Sequence, residues 1–466
     1  MGLWGCDIKD CSKATVRVDG DCILCNRHLC AQHLSSEYHT CPQWEDAENY
    51  DPAADRAEQE EMVKLQAKIN VAALTSRASY LRNGICCSVL QKLEYDPTAR
   101  GSVMGGMNYH VEISFEDGIC WLARVRRFNA TSPPPELQQY IMRSEIATLK
   151  FLSETNIPTP KVFDFSLDEA NPVGVRYILM EKMLGKSLVW SDATREQRTK
   201  VVYQLADIYI ELQAHPFPMM GSLDETGSGI AIGPFAKESL ANFGKFGLEM
   251  LGPFSSLEEF YHAYIELILN WIVQQEAYAN HPVDAFLIHR YLLENIQRIL
   301  PDATLDDGKF YLKHADEKGD QILVDEQFRI TGIIDWEWAH TGPKSAVFNS
   351  PIVLLPLDQF YNGGNCLGDE EIAFAHLLGE KGYPELGDIV KKGRLLHRLQ
   401  FCCGYDLPDW QGYQSIFMGL VAALHNDGNS KLMDFETWKA GALERYSGDH
   451  RLKSLLGSEL ELLLNL

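Results

Sequence analysis

The alternation of apolar and polar residues predicts a β-hairpin near residue 118. Val111, Ile113 and Phe115 alternate with polar neighbours, which is the period of a strand with one buried face. Asp117-Gly118 is a hairpin turn signal, and Ile119 to Val125 supplies a second strand. The pattern therefore indicates two antiparallel strands joined by a tight turn.

Apolar residues recur at helical spacing in most of the remaining chain. Met62, Leu65 and Ile69 recur at helical intervals behind an acidic stretch at 45–61, which predicts a helix over about 53–82. After the prolines that end at Pro135, apolar residues on one face predict another helix that ends before Pro158. These apolar residues are Ile141, Met142, Ile146, Leu149 and Leu152.

The order of these elements predicts the fold class. Val175–Met180 is a further short strand, and from about 191 onward the pattern is mostly helical, interrupted by short strands at 311–334. A small strand-rich part followed by a large helical part indicates an α+β fold.

Charge and composition narrow the partners. The chain has 466 residues, with 42 Lys and Arg against 65 Asp and Glu, and a formal net charge of −23. This charge disfavours nucleic acid and anionic membrane surfaces and favours cationic partners. No apolar run approaches the length of a membrane span, and MGLWGCDIKD does not resemble a secretory signal. We therefore expect a cytoplasmic protein, with a nuclear location left open.

Cysteine and histidine are concentrated at the N-terminus. Six of the 12 cysteines lie within the first 41 residues. In a reducing compartment such a cluster indicates metal before disulfide. With two histidines it offers eight ligands, enough for two tetrahedral, closed and therefore structural zinc sites. The ligands are Cys6, Cys11, Cys22, Cys25, Cys30, His33, His39 and Cys41. We expect His28 not to be a ligand.

A second cluster of candidate chemistry lies in residues 312–343. His314-Ala315-Asp316 is followed by Gln321 and, on the next predicted hairpin, by Asp335. One carboxylate would orient the hydroxyl of a substrate, and the second would hold magnesium against nucleotide phosphates. The hairpin of residues 322–334 would bring both carboxylates to one cleft.

These motifs resemble the aminoglycoside phosphotransferase family and its choline-kinase-like relatives. The similarity covers about residues 85–440, and Lys-Gly-Asp before Ile322 looks like the fungal branch of that family. The resemblance implies a protein-kinase-like fold with a small β-rich N-lobe and a large helical C-lobe. It also implies ATP, Mg²⁺ and transfer of the γ-phosphate to a hydroxyl of a small molecule.

The resemblance also assigns roles to the residues of the motif. Asp316 matches the catalytic base, Asp335 the magnesium ligand, and His314 the histidine that packs the catalytic loop. Gln321 falls where the family has Asn as a second magnesium ligand, and its carbonyl oxygen lies one methylene further out.

Upstream, the family pattern is looser. Gly105 and Gly106 fall where a loop covers the phosphates, although the pattern alone favours a turn. No lysine occupies the following strand, so Arg124 is the best match for the phosphate-binding residue, with Arg126 on the same face. Glu145 matches its ion-pair partner, and its alternative is a solvated surface glutamate.

The segment from Ile178 to Gly185 resembles the hinge that binds adenine. Glu181 and Met183 would contribute to that contact, and a plain edge strand is the alternative. The predicted units are thus a zinc finger at 1–43, an acidic linker and helix at 44–84, and an N-lobe with hinge at 85–185. The helical C-lobe, with the catalytic loop, occupies 186–466.

From Cys22 onward the N-terminal ligands resemble an AN-one-type zinc finger, whose two zinc ions are held by crossed ligand pairs. The resemblance implies one site of Cys6, Cys11, Cys30 and His33. It implies a second site of Cys22, Cys25, His39 and Cys41. Four residues separate the first pair here, where the family has two.

Two functions remain open at this level. The first is a small-molecule kinase whose acceptor carries a hydroxyl, and the acidic chain is compatible with a cationic acceptor. The second is a pseudokinase scaffold beside a zinc finger that binds a protein partner, because Arg124 and Gln321 depart from the family. Asp335-Trp336-Glu337 argues against a protein kinase.

Overall fold

The computed structural model describes residues 3–89, 95, 105–227, 229–244, 247–404, 409–425 and 433–457. Its helices are α1 Ala47–Lys68, α2 Val71–Leu81, α3 Pro135–Leu152, α4 Arg195–Gln213, α5 Leu257–Val273, α6 Pro282–Glu294, α7 Ile296–Ile299, α8 Lys344–Val347, α9 Leu357–Tyr361, α10 Asp369–Glu380, α11 Pro384–Lys392, α12 Arg394–Gly404, α13 Trp410–Leu424, α14 Phe435–Arg445 and α15 His450–Leu456.

The strands are short by comparison. They are β1 Asp21–Cys22, β2 Arg27–His28, β3 Cys87–Val89, β4 Asn108–Phe115, β5 Cys120–Arg126, β6 Val162–Ser166, β7 Tyr177–Glu181, β8 Lys186–Ser187, β9 Ser222–Thr226, β10 Gly229–Gly233, β11 Ala241–Gly244, β12 Gly247–Met250, β13 Phe310–Lys313, β14 Ile322–Val324, β15 Ile330–Ile333 and β16 His340–Pro343.

A five-stranded antiparallel sheet, in the order β3-β4-β5-β7-β6, forms the first half of the fold. The predicted hairpin is its centre, and Gly118 takes the positive φ of 84° that the turn requires. Because side chains alternate along a strand, the two faces of β7 bury different partners. Leu179 packs with α1 and α2, whereas Ile178 packs with α3.

The helix expected over 53–82 is two helices. The α-helical path ends at Lys68, and Asn70 caps α2 by accepting a hydrogen bond from the N–H of Ala73 at 3.1 Å. Asparagine is a strong N-cap, so a new helix starts there. Both helices bury residues against the sheet, and Glu61 of α1 binds Arg127 through two hydrogen bonds of 2.9 and 2.8 Å. This segment is therefore packed against the β-rich part, beyond the joining role that its sequence predicted.

The second half is mostly helical, as expected, and holds two apolar clusters. One is centred on α5, α6, α12 and α13, and the other lies between α3, α4, α10 and α11. The sequence did not predict the hairpins β9–β10 and β11–β12, and the first of these packs against α3. The predicted α+β class, with a β-rich part followed by a helical part, is confirmed. Among the described residues, no helix is long and apolar enough to cross a membrane.

Candidate active site and candidate metal centre

His314 joins the two halves of the candidate catalytic segment. Its Nδ1 accepts a hydrogen bond from the N–H of Asp316 at 3.1 Å, so the ring proton must be on Nε2. Nε2 donates that proton to the carbonyl oxygen of Ile334 at 2.9 Å. The ring also makes an edge contact with Trp336, with centroids 4.7 Å apart. The loop that carries Asp316 is thereby fixed to the strand end that carries Asp335.

Asp316 lies beside a lysine that the sequence comparison did not single out. Lys318 Nζ is 3.0 Å from Asp316 Oδ2, and the Lys318 side chain is 61% exposed. Burial opposes the charge of Lys318, but Asp316, Asp320 and Asp335 together raise its pKa. The exposed ammonium group of Lys318 therefore interacts with several aspartates of the candidate site.

Asp335 follows β15 with a left-handed backbone, φ 63°. Non-glycine residues rarely adopt this conformation, and it is often retained at functional sites. Trp336 anchors the turn because its Nε1–H donates to the carbonyl oxygen of Ile333 at 3.0 Å. The Asp335 side chain is 53% exposed and accepts a hydrogen bond from Arg124 Nη2 at 2.6 Å.

Arg124 is the centre of a buried ion network. Its Nη1 donates to Glu145 at 2.5 Å, and its Nη2 also donates to Glu337 at 3.1 Å. Arg126 donates to the other oxygen of Glu337 at 2.5 Å, and Asn108 donates to Glu337 at 3.2 Å. The guanidinium of Arg124 thus donates hydrogen bonds to three carboxylates, those of Glu145, Asp335 and Glu337.

The network changes the acid–base properties of its members. Burial disfavours the charge of Arg124, yet Glu145, Asp335 and Glu337 raise its pKa above the usual range. Burial raises the pKa of Glu145 to about 7, against the effect of Arg124. Partial burial would raise the pKa of Asp335, but the charge of Arg124 lowers it, so this carboxylate is ionised at neutral pH.

Gly105 and Gly106 are held by Arg127. Its Nη1 donates to their carbonyl oxygens at 3.2 and 3.4 Å. Residues 101–104 of the expected phosphate-covering loop lie outside the described residues. The end of this loop is thus connected, through Arg127 and Glu61, to α1.

The segment between β7 and β8 contacts the hairpin that leads to Asp335. Met183 packs against Gly332 so closely that a Cβ there would meet its side chain at 3.0 Å. Thr331 donates to the carbonyl oxygen of Leu184 at 2.5 Å. At the end of β7, the N–H of Glu181 donates to the carbonyl oxygen of Lys161 at 2.8 Å. The structure therefore places the expected hinge directly over the β14–β15 hairpin.

Two polar residues of the candidate catalytic loop face inward. Gln321 is buried, and its Oε1 accepts a hydrogen bond from the N–H of Gly319 at 2.8 Å, so this oxygen already stabilises its own loop. Glu317 binds Lys313 at 2.7 Å and accepts from Tyr209 at 3.2 Å. Glu317 therefore belongs to the packing beneath the loop.

The N-terminal cysteines and histidines form two compact groups. Within each group the four ligand atoms lie within 4.8 Å of one another. The groups are Cys6, Cys11, Cys30 and His33, and Cys22, Cys25, His39 and Cys41. This is the pairing that the zinc-finger resemblance implies. His28 lies outside both groups and contacts Asp21 at 2.9 Å.

The spacing within the groups suits zinc. Cys11 and Cys30 have sulfur atoms 3.9 Å apart, and Cys6 Sγ lies 3.3 Å from His33 Nδ1. Ligands about 2.1–2.3 Å from a tetrahedral zinc are about 3.5–3.8 Å from each other. Burial, and then Cys22 and Cys25, raise the pKa of Cys41 to about 12, so its thiolate requires a nearby cation.

The sequence reasoning missed two members of the active-site cluster. Glu337 and Lys318 were not assigned roles, although each lies two positions from a candidate aspartate. Asp335 and Glu337 both contact Arg124, although the left-handed backbone of Asp335 means that this segment is a turn and not a strand. The contact of Glu337 depends on this turn and the orientation of Lys318 depends on its loop, so strand alternation gave no signal for either residue.

Comparison with known proteins matches part of the chain to a protein family. Residues 120–345, just under half of the chain, match the Phosphotransferase enzyme family. These residues include the charged groups of the ion network and the candidate catalytic loop. The resemblance to a phosphotransferase family that the sequence predicted is therefore confirmed over residues 120–345.

Individual relatives are more distant. A subtelomeric hrmA-associated cluster protein of Aspergillus fumigatus strain Af293 is 32% identical over 136 residues, which are 28% of this chain and 26% of that protein. The match therefore spans about a quarter of that relative's length. The crystal structure of aminoglycoside phosphotransferase APH(4)-Ia has a TM-score of 0.43 and 15% identity, covering 76% of this chain and all of that one. Macrolide 2'-phosphotransferase MphH from Brachybacterium faecium has a TM-score of 0.38 and 16% identity, covering 77% and 99%.

Proposed function

We propose that the chain is an ATP- and Mg²⁺-dependent phosphotransferase that phosphorylates a hydroxyl group of a small molecule. The observation that carries this proposal is the bridge of His314 between the N–H of Asp316 and the carbonyl of Ile334. This bridge holds Asp316, our candidate for the hydroxyl, and Asp335, our candidate for Mg²⁺, at one site. Phosphoryl transfer requires little else than positioning and charge stabilisation.

Asp335 would hold Mg²⁺, which neutralises the phosphate charge when it is bound. Its carboxylate is ionised, and one of its oxygens has no hydrogen bond among the described residues. Asp316 would accept the proton of the attacking hydroxyl, since its side chain is 31% exposed at the mouth of the site.

Lys318 is our candidate for the cation that contacts the transferred phosphate. In the family this charge comes from the strand position of Arg124, but Arg124 is buried and bound to three carboxylates. Lys318 is exposed and lies 3.0 Å from Asp316. An ammonium at this point can stabilise negative charge as the phosphate moves toward the hydroxyl.

The nucleotide base would lie at the segment that holds Glu181 and Met183, and its phosphates would lie beneath Gly105 and Gly106. Backbone groups of such segments suit these contacts because each residue offers an N–H donor and a C=O acceptor. A cationic, hydroxyl-bearing acceptor is consistent with the net charge of −23. We assign the two N-terminal groups to structural zinc, and a cytoplasmic or nuclear location remains part of the proposal.

A second candidate is a pseudokinase scaffold that binds partners through its zinc finger. Two observations favour it. Asp335 is already bound by Arg124, and the side-chain oxygen of Gln321 is already used by Gly319. Both contacts occupy groups that would otherwise face metal.

Calorimetry of ATP binding separates these candidates. We expect wild-type protein to bind ATP much more tightly with Mg²⁺ than without it. Asp335→Asn should remove most of that difference, by roughly tenfold or more, whereas Asp388→Asn on the exposed face of α11 should not. ATP binding that is absent, or that is indifferent to Mg²⁺, would favour the scaffold.

A further inference from the structure

The zinc module, which is the predicted zinc finger of residues 1–43, contacts the start of α3 through its first described residues. Trp4 Nε1–H donates to the carbonyl oxygen of Ser132 at 3.2 Å, just before α3 begins. Leu3 packs against an apolar cluster that includes Leu137 and Ile141 of the same helix. The module therefore contacts both the entry to α3 and one of its faces.

A second contact is made by Arg17. Its guanidinium lies 3.7 Å from the centroid of the Trp271 ring, and its backbone N–H donates to the carbonyl oxygen of Glu276 at 2.8 Å. The guanidinium also donates to the carbonyl oxygen of Glu238 at 3.3 Å and to Asn242 Oδ1 at 3.1 Å. A largely buried arginine with this set of partners is a specific dock, since exposed arginines rarely form so many contacts.

Both contacts lead toward the buried ion network. Helix α3 carries Glu145, which binds Arg124 at 2.5 Å. Arg17 donates to the carbonyl oxygen of Glu238, and the carboxylate of Glu238 interacts electrostatically with Glu337 and Arg126. The zinc module thus touches the two elements that flank the network, although it contributes no residue to it.

We propose that Trp4 and Arg17 are positioning residues, which hold α3 and the Glu238 segment so that Glu145 stays bound to Arg124. Without these contacts, α3 samples other orientations and the intact network is populated for a smaller fraction of the time. The affinity for a ligand falls in proportion to that fraction. The effect on nucleotide rests on the proposed function, whereas the effect on α3 does not.

This assignment changes the expected role of the zinc finger. The face that holds Trp4 and Arg17 is turned toward its own chain. An interaction with a separate protein would therefore have to use another face or displace this dock.

Hydrogen exchange of the full-length, zinc-loaded protein tests the proposal. Trp4→Phe removes the N–H donor and keeps an aromatic ring, and Arg17→Ala removes the second dock. We expect amides of α3 to exchange about tenfold faster in either variant, with α13 unchanged as an internal reference for folding. Lys13→Ala is the matched control, because Lys13 is exposed and its ammonium group donates to Gln32 of the same module.

Zinc content and the Kd for Mg·ATP are measured on the same samples. We expect unchanged zinc and a higher Kd in the docking variants, because the Kd rises as the fraction of protein with the intact network falls. Unaltered α3 exchange in both docking variants, or equal acceleration in Lys13→Ala, would overturn the inference. If wild-type protein binds no nucleotide, the proposed function fails, but faster α3 exchange in the variants still supports the dock.

Discussion

Arg124 and Asp335 are joined by a hydrogen bond of 2.6 Å between Nη2 and Oδ1, although 211 positions separate them in the chain. The same guanidinium binds Glu145, so a single side chain connects the sheet, α3 and the candidate metal-binding residue. This connection makes the network a matter of stability as well as of chemistry.

The first prediction concerns that stability. Arg124→Met should lower the free energy of unfolding by about 3–5 kcal/mol, because it leaves buried carboxylates without their cation. Adding Glu145→Met should restore part of the loss. Urea unfolding measures both values. Arg143→Met is the control, on the helix that carries Glu145. Arg143 is 42% exposed, and its pair with Asp224 should contribute at most about 1 kcal/mol. Similar losses in the Arg124 and Arg143 variants would refute the buried network.

The second prediction concerns Lys318. Lys318→Met should reduce kcat by about 10²- to 10³-fold with a much smaller change in KM for ATP, because the ammonium acts on charge that develops during transfer. Lys391→Met, on the exposed side of α11, is the control. Steady-state kinetics measures both constants. If the kcat of the Lys318 variant matched that of the wild type, contact with the transferred phosphate would be reassigned to Arg124.

The third prediction concerns metal content. Native mass spectrometry should find two zinc ions per wild-type chain and one in Cys30→Ser or Cys41→Ser, because each variant loses a ligand of a different group. Cys86→Ser should retain two ions, since Cys86 belongs to neither group. A chelator should unfold the module, because zinc binding supplies about 10 kcal/mol or more to such folds. Wild-type protein without zinc is incompatible with the assignment.

The fourth prediction concerns acid. Burial lowers the pKa of His289 to about 4, and burial with the charge of Arg394 lowers that of His397 to about 3. In the unfolded chain both titrate near 6.5, so below that pH the unfolded state binds more protons and stability falls as pH falls. At pH 5 each histidine should cost about 2 kcal/mol.

Urea unfolding at pH 7.5, 6 and 5 measures this slope. His289→Gln and His397→Gln retain a donor for the carbonyl that each ring contacts, and each should make the dependence on pH shallower. His376→Gln, at a side chain 73% exposed, should leave it as it is. Equal slopes in all of these proteins would show that the buried rings are not the cause.

Sequence reasoning worked best where the chemistry is local. The spacing from His314 to Asp335 is set by one loop and one hairpin, so the motif alone could bring these residues together. The hairpin around Gly118 followed from alternation and its turn. The zinc groups followed from ligand types at close spacing and from a family resemblance.

It worked less well where distant packing decides. The break at Asn70 depends on a cap that competes with a continuing apolar pattern. The β9–β10 hairpin packs against α3, and Asn242 of the β11–β12 hairpin binds Arg17; both partners lie far away in the chain. Similarly, nothing near Arg124 in sequence indicates that Asp335 and Glu337 would occupy its guanidinium.

The most direct test of the central claim is transfer of label from γ-³²P-ATP to a panel of hydroxylated amines and sugars. The account predicts Mg²⁺-dependent labelling of at least one acceptor by wild-type protein. Asp316→Asn should abolish transfer and leave the Kd for Mg·ATP nearly unchanged, because Asp316 acts on the hydroxyl and not on the nucleotide. Transfer at the wild-type rate by Asp316→Asn would contradict the account.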